Sequence, residues 1–151
     1  MLLEERILKD YNEALKKKDY IRVSTLRFLR AALANLAIEK RKDKLDDSEV
    51  VSVIRKQIKS HLESIEQFKR GNRPDLVEKE TAELKILNSY LPEELSEEKL
   101  REIIKEAIIS LGASSLKDMG KVMKLVLEKV KERADAKKVS DLVKESLSKN
   151  V

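Results

Sequence analysis

Ser115 stands two residues before a lysine in the run Ser114-Ser115-Leu116-Lys117, a pattern from which an amine-activated hydroxyl nucleophile can be built. The surroundings argue against that chemistry. A serine amidase also needs an oxyanion hole and a glycine-rich loop around its nucleophile, and this segment has neither. Ser115 with Asp118 three residues on reads better as a capping box opening a helix. Glu93, Glu94, Glu97 and Glu98 could supply metal or acid–base carboxylates, but they crowd a predicted helix start, where the helix dipole favours negative charge, and have no His or Cys beside them. The single histidine, His61, shares an apolar stripe with Val51, Ile54, Ile58, Ile65 and Phe68. A catalytic role would need a nucleophile or carboxylate brought to it, so it reads as a hydrogen-bonded core or interface residue. Without cysteine there is no disulfide or thiolate chemistry, and one histidine argues against a zinc or iron site. No Walker loop, dinucleotide fingerprint or zinc spacing occurs, and neither cofactor nor metal is expected.

A basic face remains. Lys117, Lys121, Lys124, Lys131, Arg133, Lys137 and Lys138 stand against Asp118, Glu128, Glu132 and Asp135. Four of these lysines recur at helical spacing opposite Met119, Val122, Val126 and Val130, which points them toward solvent together. Lysine and arginine contacts to phosphate supply most sequence-independent affinity for nucleic acid. A solvated helix face explains the same residues. In a chain that is 40% charged, with three Tyr and two Phe for base stacking, charge alone leaves both readings open. A second cluster, Lys40-Arg41-Lys42-Asp43-Lys44, is short and lacks aromatics, and reads as a solvated helix C-terminus.

The elements that must position these residues are helices. Three Gly and two Pro in 151 residues leave few turns, so the chain is predicted to be all-α. Leu3, Ile7, Leu8, Tyr11, Ala14 and Leu15 mark a first helix; Val23, Leu26, Leu29, Leu33 and Leu36 mark a second, capped by Asp19. Asp46 to Glu49 opens a third that ends at Gly71. Pro74 starts a fourth with a seam of Val77, Leu84, Leu87 and Leu91. Pro92 stops that helix near Tyr90, and Ser96 caps the next. The predicted division is therefore 1–91, a four-helix bundle-like domain, and 92–151, a small three-helix domain. In the second domain the stripes are Leu100 to Leu111, closed by Gly112, then Met119 to Val130, then Val139 to Leu147 after Asp135. No apolar run approaches membrane-spanning length, and the charged N-terminus lacks an apolar leader, so the expected location is cytoplasmic, with no membrane contact. Abundant Lys and Glu, with Gln only at 57 and 67, resemble thermophile usage.

Three stretches carry a family resemblance: Tyr90-Leu91-Pro92-Glu93-Glu94-Leu95-Ser96-Glu97, the run from Gly112-Ala113-Ser114-Ser115-Leu116-Lys117-Asp118-Met119-Gly120-Lys121-Val122-Met123, and Lys131-Glu132-Arg133-Ala134-Asp135. With Thr25-Leu26-Arg27 and Asp75-Leu76-Val77-Glu78-Lys79-Glu80, they resemble the YqeY family across essentially the whole chain. The C-terminal part of that family is similar to the tail domain of GatB, the tRNA-handling subunit of the Asp/Glu-tRNA amidotransferase. The resemblance implies a helical N-terminal domain joined at the proline to a GatB-tail-like domain associated with tRNA. It does not supply the amidase, kinase or ammonia-channel machinery, which lies in domains this chain lacks. Lys99 departs from the acidic run the family often shows after the serine cap. The expected function is a tRNA-binding module, accessory to aminoacyl-tRNA amidation or tRNA handling, whose partner is tRNA or a tRNA-bearing complex. The N-terminal domain would position it or recruit a protein. Two alternatives stand beside this: a protein–protein adaptor whose basic face is incidental, and an amidotransferase-like carbon–nitrogen ligase using glutamine as amide donor.

Overall fold

The structure, a computed structural model, describes residues 1–148, the side chain of Glu132 excepted. Among the described residues the chain is all-α, without a strand: α1 (Leu3–Lys17), α2 (Tyr20–Lys40), α3 (Asp47–Arg70), α4 (Pro74–Asn88), α5 (Glu97–Leu111), α6 (Met119–Val130) and α7 (Ala136–Ser148). Single 3₁₀ turns lie at Leu116–Asp118 and Lys131–Arg133. The helices gather into two compact units, one of Met1–Leu91 and one beginning at Pro92.

In the first unit, short polar signals end each helix and start the next. Lys18 takes a left-handed conformation (φ 57°) after α1, and Asp19 then accepts the Arg22 amide at 3.3 Å to cap α2. Asp46 and Glu49 form a reciprocal capping box at α3, with the Glu49 amide 2.8 Å from Asp46 Oδ1 and the Asp46 amide 3.1 Å from Glu49 Oε1. The core joins Ile7 of α1, Leu26, Leu29 and Leu33 of α2, Leu45, Val50 and Ile54 around the start of α3, and Ile86, Leu87 and Tyr90 at the end of α4. After the Gly71–Arg73 turn, α4 folds back along α3, and this pair shares the most extensive contact in the unit.

Two expected seams differ from the observed ones. On α1, Ile7 and Ala14 are buried while Leu8 and Leu15 are exposed, because the face that meets the core runs through Leu3, Ile7, Tyr11 and Ala14 and leaves the neighbouring leucines beside it. Of the seam expected on α4, Leu87 is buried, but Val77 and Leu84 are only half-buried, as is Leu91 beyond the helix end, and the buried face also holds Glu83 and Ile86. The helix ends at Asn88, two residues earlier than expected: Ser89 Oγ donates to the Ile86 carbonyl at 2.6 Å, and the chain turns before Pro92.

In the second unit, Ser96 Oγ accepts the Lys99 amide at 3.2 Å to cap α5, and Gly112 closes it in a left-handed conformation (φ 63°) that Gly adopts without Cβ strain. Leu100, Ile104, Ala107 and Ile108 of α5, Val122, Val126 and Val130 of α6, and Val139, Leu142, Val143 and Leu147 of α7 form one cluster. Helices of 12 to 15 residues are marginal alone, so this mutual burial holds them. Each fully buried Val or Leu contributes about 1.5–3 kcal/mol relative to exposure. The Leu95 amide donates to the Arg133 carbonyl at 2.9 Å, which ties the approach to α5 onto the turn between α6 and α7.

Candidate functional site

The seven cations picked out by sequence are all exposed, and their order along the tail follows its turns. Lys117 sits in the 3₁₀ turn before α6, Lys121 and Lys124 lie one turn apart on α6, Lys131 and Arg133 occupy the 3₁₀ turn after it, and Lys137 and Lys138 fall in the first turn of α7. The α-helix therefore covers only the middle of the expected stripe. Lys131 leaves the helix with φ 48° and ψ −127°, so its direction is set by a backbone turn and not by the 100° step of α6. Among the described residues none of the seven forms an ion pair, a state they share with most lysines of the chain.

Arg133 has structural work as well. Its Nη2 donates to the Lys129 carbonyl at 2.9 Å and its Nε to the Val130 carbonyl at 3.4 Å, satisfying acceptors that a helix C-terminus leaves open. At the other end of α6, Asp118 Oδ2 accepts the amides of Ser114 (3.0 Å) and Ser115 (3.4 Å), while Ser115 Oγ accepts the Lys117 amide at 3.4 Å. The amide hydrogen bonds from Ser114 and Ser115, with the Lys121 charge, hold the Asp118 carboxyl below its ordinary range. Ser115 is thus a cap residue, as its spacing predicted. Of the early glutamates, Glu97 accepts from Arg101 at 2.9 Å within the first turns of α5.

A constellation that sequence reading missed lies between α3 and α4. His61 Nδ1 hydrogen-bonds Glu80 Oε2 and lies 3.6 Å from Glu83 Oε2. One donor atom from each of the three residues falls within 4.8 Å of the other two. Glu83 is buried at 8% exposure. Desolvation, and then the negative charge of Glu80, push its carboxyl above the ordinary range, with the His61 and Lys79 charges opposing. His61 does lie on the helix face expected of it, half-buried beside Ile65. The signal for its partners was available: Glu83 precedes Leu87 by four residues and so shares the buried face of α4, and Glu80 is one turn earlier.

Comparison with known proteins identifies the kinship of this chain. The family described as Yqey-like protein matches residues 4–147. The chain belongs to the YqeY family. Among curated YqeY-like relatives, a Pyrenophora tritici-repentis protein named "Altered inheritance of mitochondria protein 41, mitochondrial" is 36% identical over 143 residues, 93% of this chain and 78% of that one. Proteins of the same name are 36% identical over 83 residues in Lachancea thermotolerans, covering 55% of this chain and 44% of theirs, and 26% identical over 130 residues in Saccharomyces cerevisiae, covering 86% and 61%. The chain thus spans only part of the length of these relatives, less than half in the Lachancea case.

The cytoplasmic location expected from the sequence is overturned by these names, which describe the relatives as mitochondrial. The inference failed for a physical reason. Mitochondrial targeting segments are basic and amphipathic, so the want of an apolar leader carries no information about them. No described helix is long and apolar enough to cross a membrane.

Proposed function

We propose that this YqeY-family chain is a tRNA-binding helical module, accessory to aminoacyl-tRNA amidation or tRNA handling, whose second unit contacts the phosphate backbone. The observation that carries the reading is the clustering of charge. Lys117, Lys121, Lys124, Lys131, Arg133, Lys137 and Lys138 are all exposed along one continuous stretch that runs from the 3₁₀ turn before α6 to the first turn of α7, and none forms an ion pair among the described residues. Lys137 and Lys138 also occupy the first turn of α7, where the helix dipole disfavours cations, so both sum their field with its positive end. The resemblance of residues 112–135 to the GatB tail supports the same assignment. Titrating the full chain against total tRNA and duplex DNA across salt tests it. Log affinity falls linearly with log salt, and Lys121→Glu with Lys124→Glu shallows the slope by about 0.7–0.9 per lost contact. No binding at low salt, or a slope untouched by the reversals, overturns it.

A second reading rests on a separate surface. Tyr20, Ile21, Phe28 and Ile38 of α2 are exposed, with Phe28 at 67% and Ile38 at 75%, an apolar series on a highly charged chain. That supports a protein partner for the first unit, either alongside the tail's role or, in the adaptor alternative, in place of it. A Phe28→Glu change that leaves tRNA affinity intact but abolishes co-purification of a partner separates the two surfaces.

A further inference from the structure

We infer that His61, Glu80 and Glu83 form a binding site for one divalent first-row transition cation, which cross-links α3 to α4. The sequence argued against a metal because the chain has a single histidine. The fold supplies the missing donors as carboxylates from the neighbouring helix. Glu80 and Glu83 stand three residues apart on α4, the spacing at which two side chains leave one helix face together. His61 meets both from α3: its Nδ1 hydrogen-bonds Glu80 and lies 3.6 Å from Glu83 Oε2. Donors bound to one tetrahedral cation at metal–ligand distances of about 2.0–2.2 Å stand roughly 3.3–3.6 Å apart. The His61–Glu83 separation is already of that size and all three donors lie within 4.8 Å of one another, while His61 and Glu80, joined by a hydrogen bond, must part slightly to admit the ion.

Two independent features favour a cation over a bare cluster. Neither carboxylate pairs with a lysine or arginine among the described residues, although the side chains of Glu80 and Glu83 are only 20% and 11% exposed. Two carboxylates held together at that depth are relieved by a proton on one of them or by a positive charge between them, and a bound cation supplies the second. Gln57 is the second feature. It precedes His61 by one helical turn, is 9% exposed, and its Oε1 is buried without a hydrogen-bond partner among the described residues. A buried amide oxygen of this kind is costly unless it accepts from something, and one turn before His61 it shares the helix face that carries the site. The donor set, one imidazole nitrogen with carboxylate oxygens, suits Zn²⁺, Mn²⁺, Fe²⁺ or Co²⁺, and the nitrogen ranks Ca²⁺ and Mg²⁺ below them. The residual exposure of His61 and Glu80 leaves a path for the ion and room for water to complete its coordination.

His61 is the only histidine, so its ring protons report on the site without ambiguity. The experiment titrates the tag-free, chelator-treated full chain with Zn²⁺ and follows the imidazole resonances by NMR, with calorimetry for stoichiometry. The expected result is that the His61 signals move and saturate at one equivalent, and that Co²⁺ gives a visible d–d absorption in the same stoichiometry. Glu83→Gln and Glu80→Gln, shown by circular dichroism to be folded, each weaken Zn²⁺ by at least about tenfold. His61 resonances that stay in place at several equivalents of Zn²⁺ overturn the site, and so does binding that both glutamine variants leave within about twofold of wild type. The first outcome would leave His61 as a hydrogen-bonding partner of the two carboxylates. The wild-type NMR readout decides the matter even where a variant fails to fold.

Discussion

The phenol of Tyr90 donates a hydrogen bond to Asp10 Oδ2 at 2.6 Å, joining residues eighty positions apart across the first unit. Tyr90 is 3% exposed and packs in the core with Ile7, Ile86 and Leu87, while the Arg6 guanidinium lies 5.0 Å over its ring. This contact fastens the end of the unit, just before Pro92, onto its first helix. Burial, and then the Asp10 hydrogen bond and charge, push the phenol above its ordinary ionisation range, so it donates at any physiological pH. Tyr90→Phe keeps the ring and removes the donor. It is expected to destabilise the chain by about 1–2 kcal/mol, because a hydrogen bond to a charged acceptor is lost. Urea denaturation measures this; an unchanged midpoint would mean that Asp10 is equally well solvated without it.

Glu49 gives a pH prediction. Its Oε2 lies 2.8 Å from Lys40 Nζ and its Oε1 lies 2.8 Å from Lys42 Nζ, so the capping residue of α3 also binds the cationic end of α2. Hydrogen bonds from Lys40, then Lys42, then the Asp46 amide lower its carboxyl from the ordinary 4.5 to about 2. A group with a depressed folded-state value stabilises the fold fully above its unfolded value and loses that contribution as it is protonated. The loss should fall between pH 4.5 and about 2. Glu49→Gln should lower Tm at pH 7 and flatten the acid limb of Tm against pH; parallel acid limbs in the two proteins count against the linkage.

How far the sequence anticipates these contacts depends on the range over which each is decided. Asp19, Asp46, Ser96, Gly112, Ser115 and Asp135 act on backbone groups within five residues, so their spacing alone places the helix ends. The tail stripes were legible too, because each of α5, α6 and α7 buries one face, although Leu111 at the end of the α5 stripe is exposed. The exposed Leu8 and Leu15, and the buried Glu83, were not, since which side of a helix wins burial depends on the neighbour it meets. The same holds for the site between α3 and α4. His61 could be placed on a face from its period, but its carboxylate partners are nineteen and twenty-two residues away and meet it only through the α3–α4 turn.

The two residues at the start of the tail's basic run should differ in structural weight. Asp118 accepts two amides, from Ser114 and Ser115, whereas Ser115 Oγ holds one at the long distance of 3.4 Å. Ser115→Ala is therefore expected at the low end for cap removal, about 0.5 kcal/mol, and Ser115→Asp to be tolerated. Asp118→Ala should lower Tm by clearly more. Thermal melts of the three variants order them, and a Ser115→Ala loss exceeding that of Asp118→Ala would reverse the assignment of the main cap.

Arg133 separates structure from proposed binding within one residue. Its guanidinium caps α6 through the Lys129 and Val130 carbonyls, and its charge belongs to the exposed basic run. Arg133→Ala removes both, and should lower Tm by roughly 2–4 °C as well as weakening tRNA binding. Lys121 is exposed and forms no cap or ion pair among the described residues, so Lys121→Ala should change stability by no more than about 0.5 kcal/mol while still weakening binding. Arg133→Lys is the informative third variant. Lysine keeps the charge, and with it the salt dependence, but cannot present two donors from a rigid fork to two carbonyls. Affinity near wild type with a lowered Tm is the expected pattern for Arg133→Lys. Full recovery of Tm would show that charge at the helix terminus, and not the paired hydrogen bonds, is what holds the end of α6.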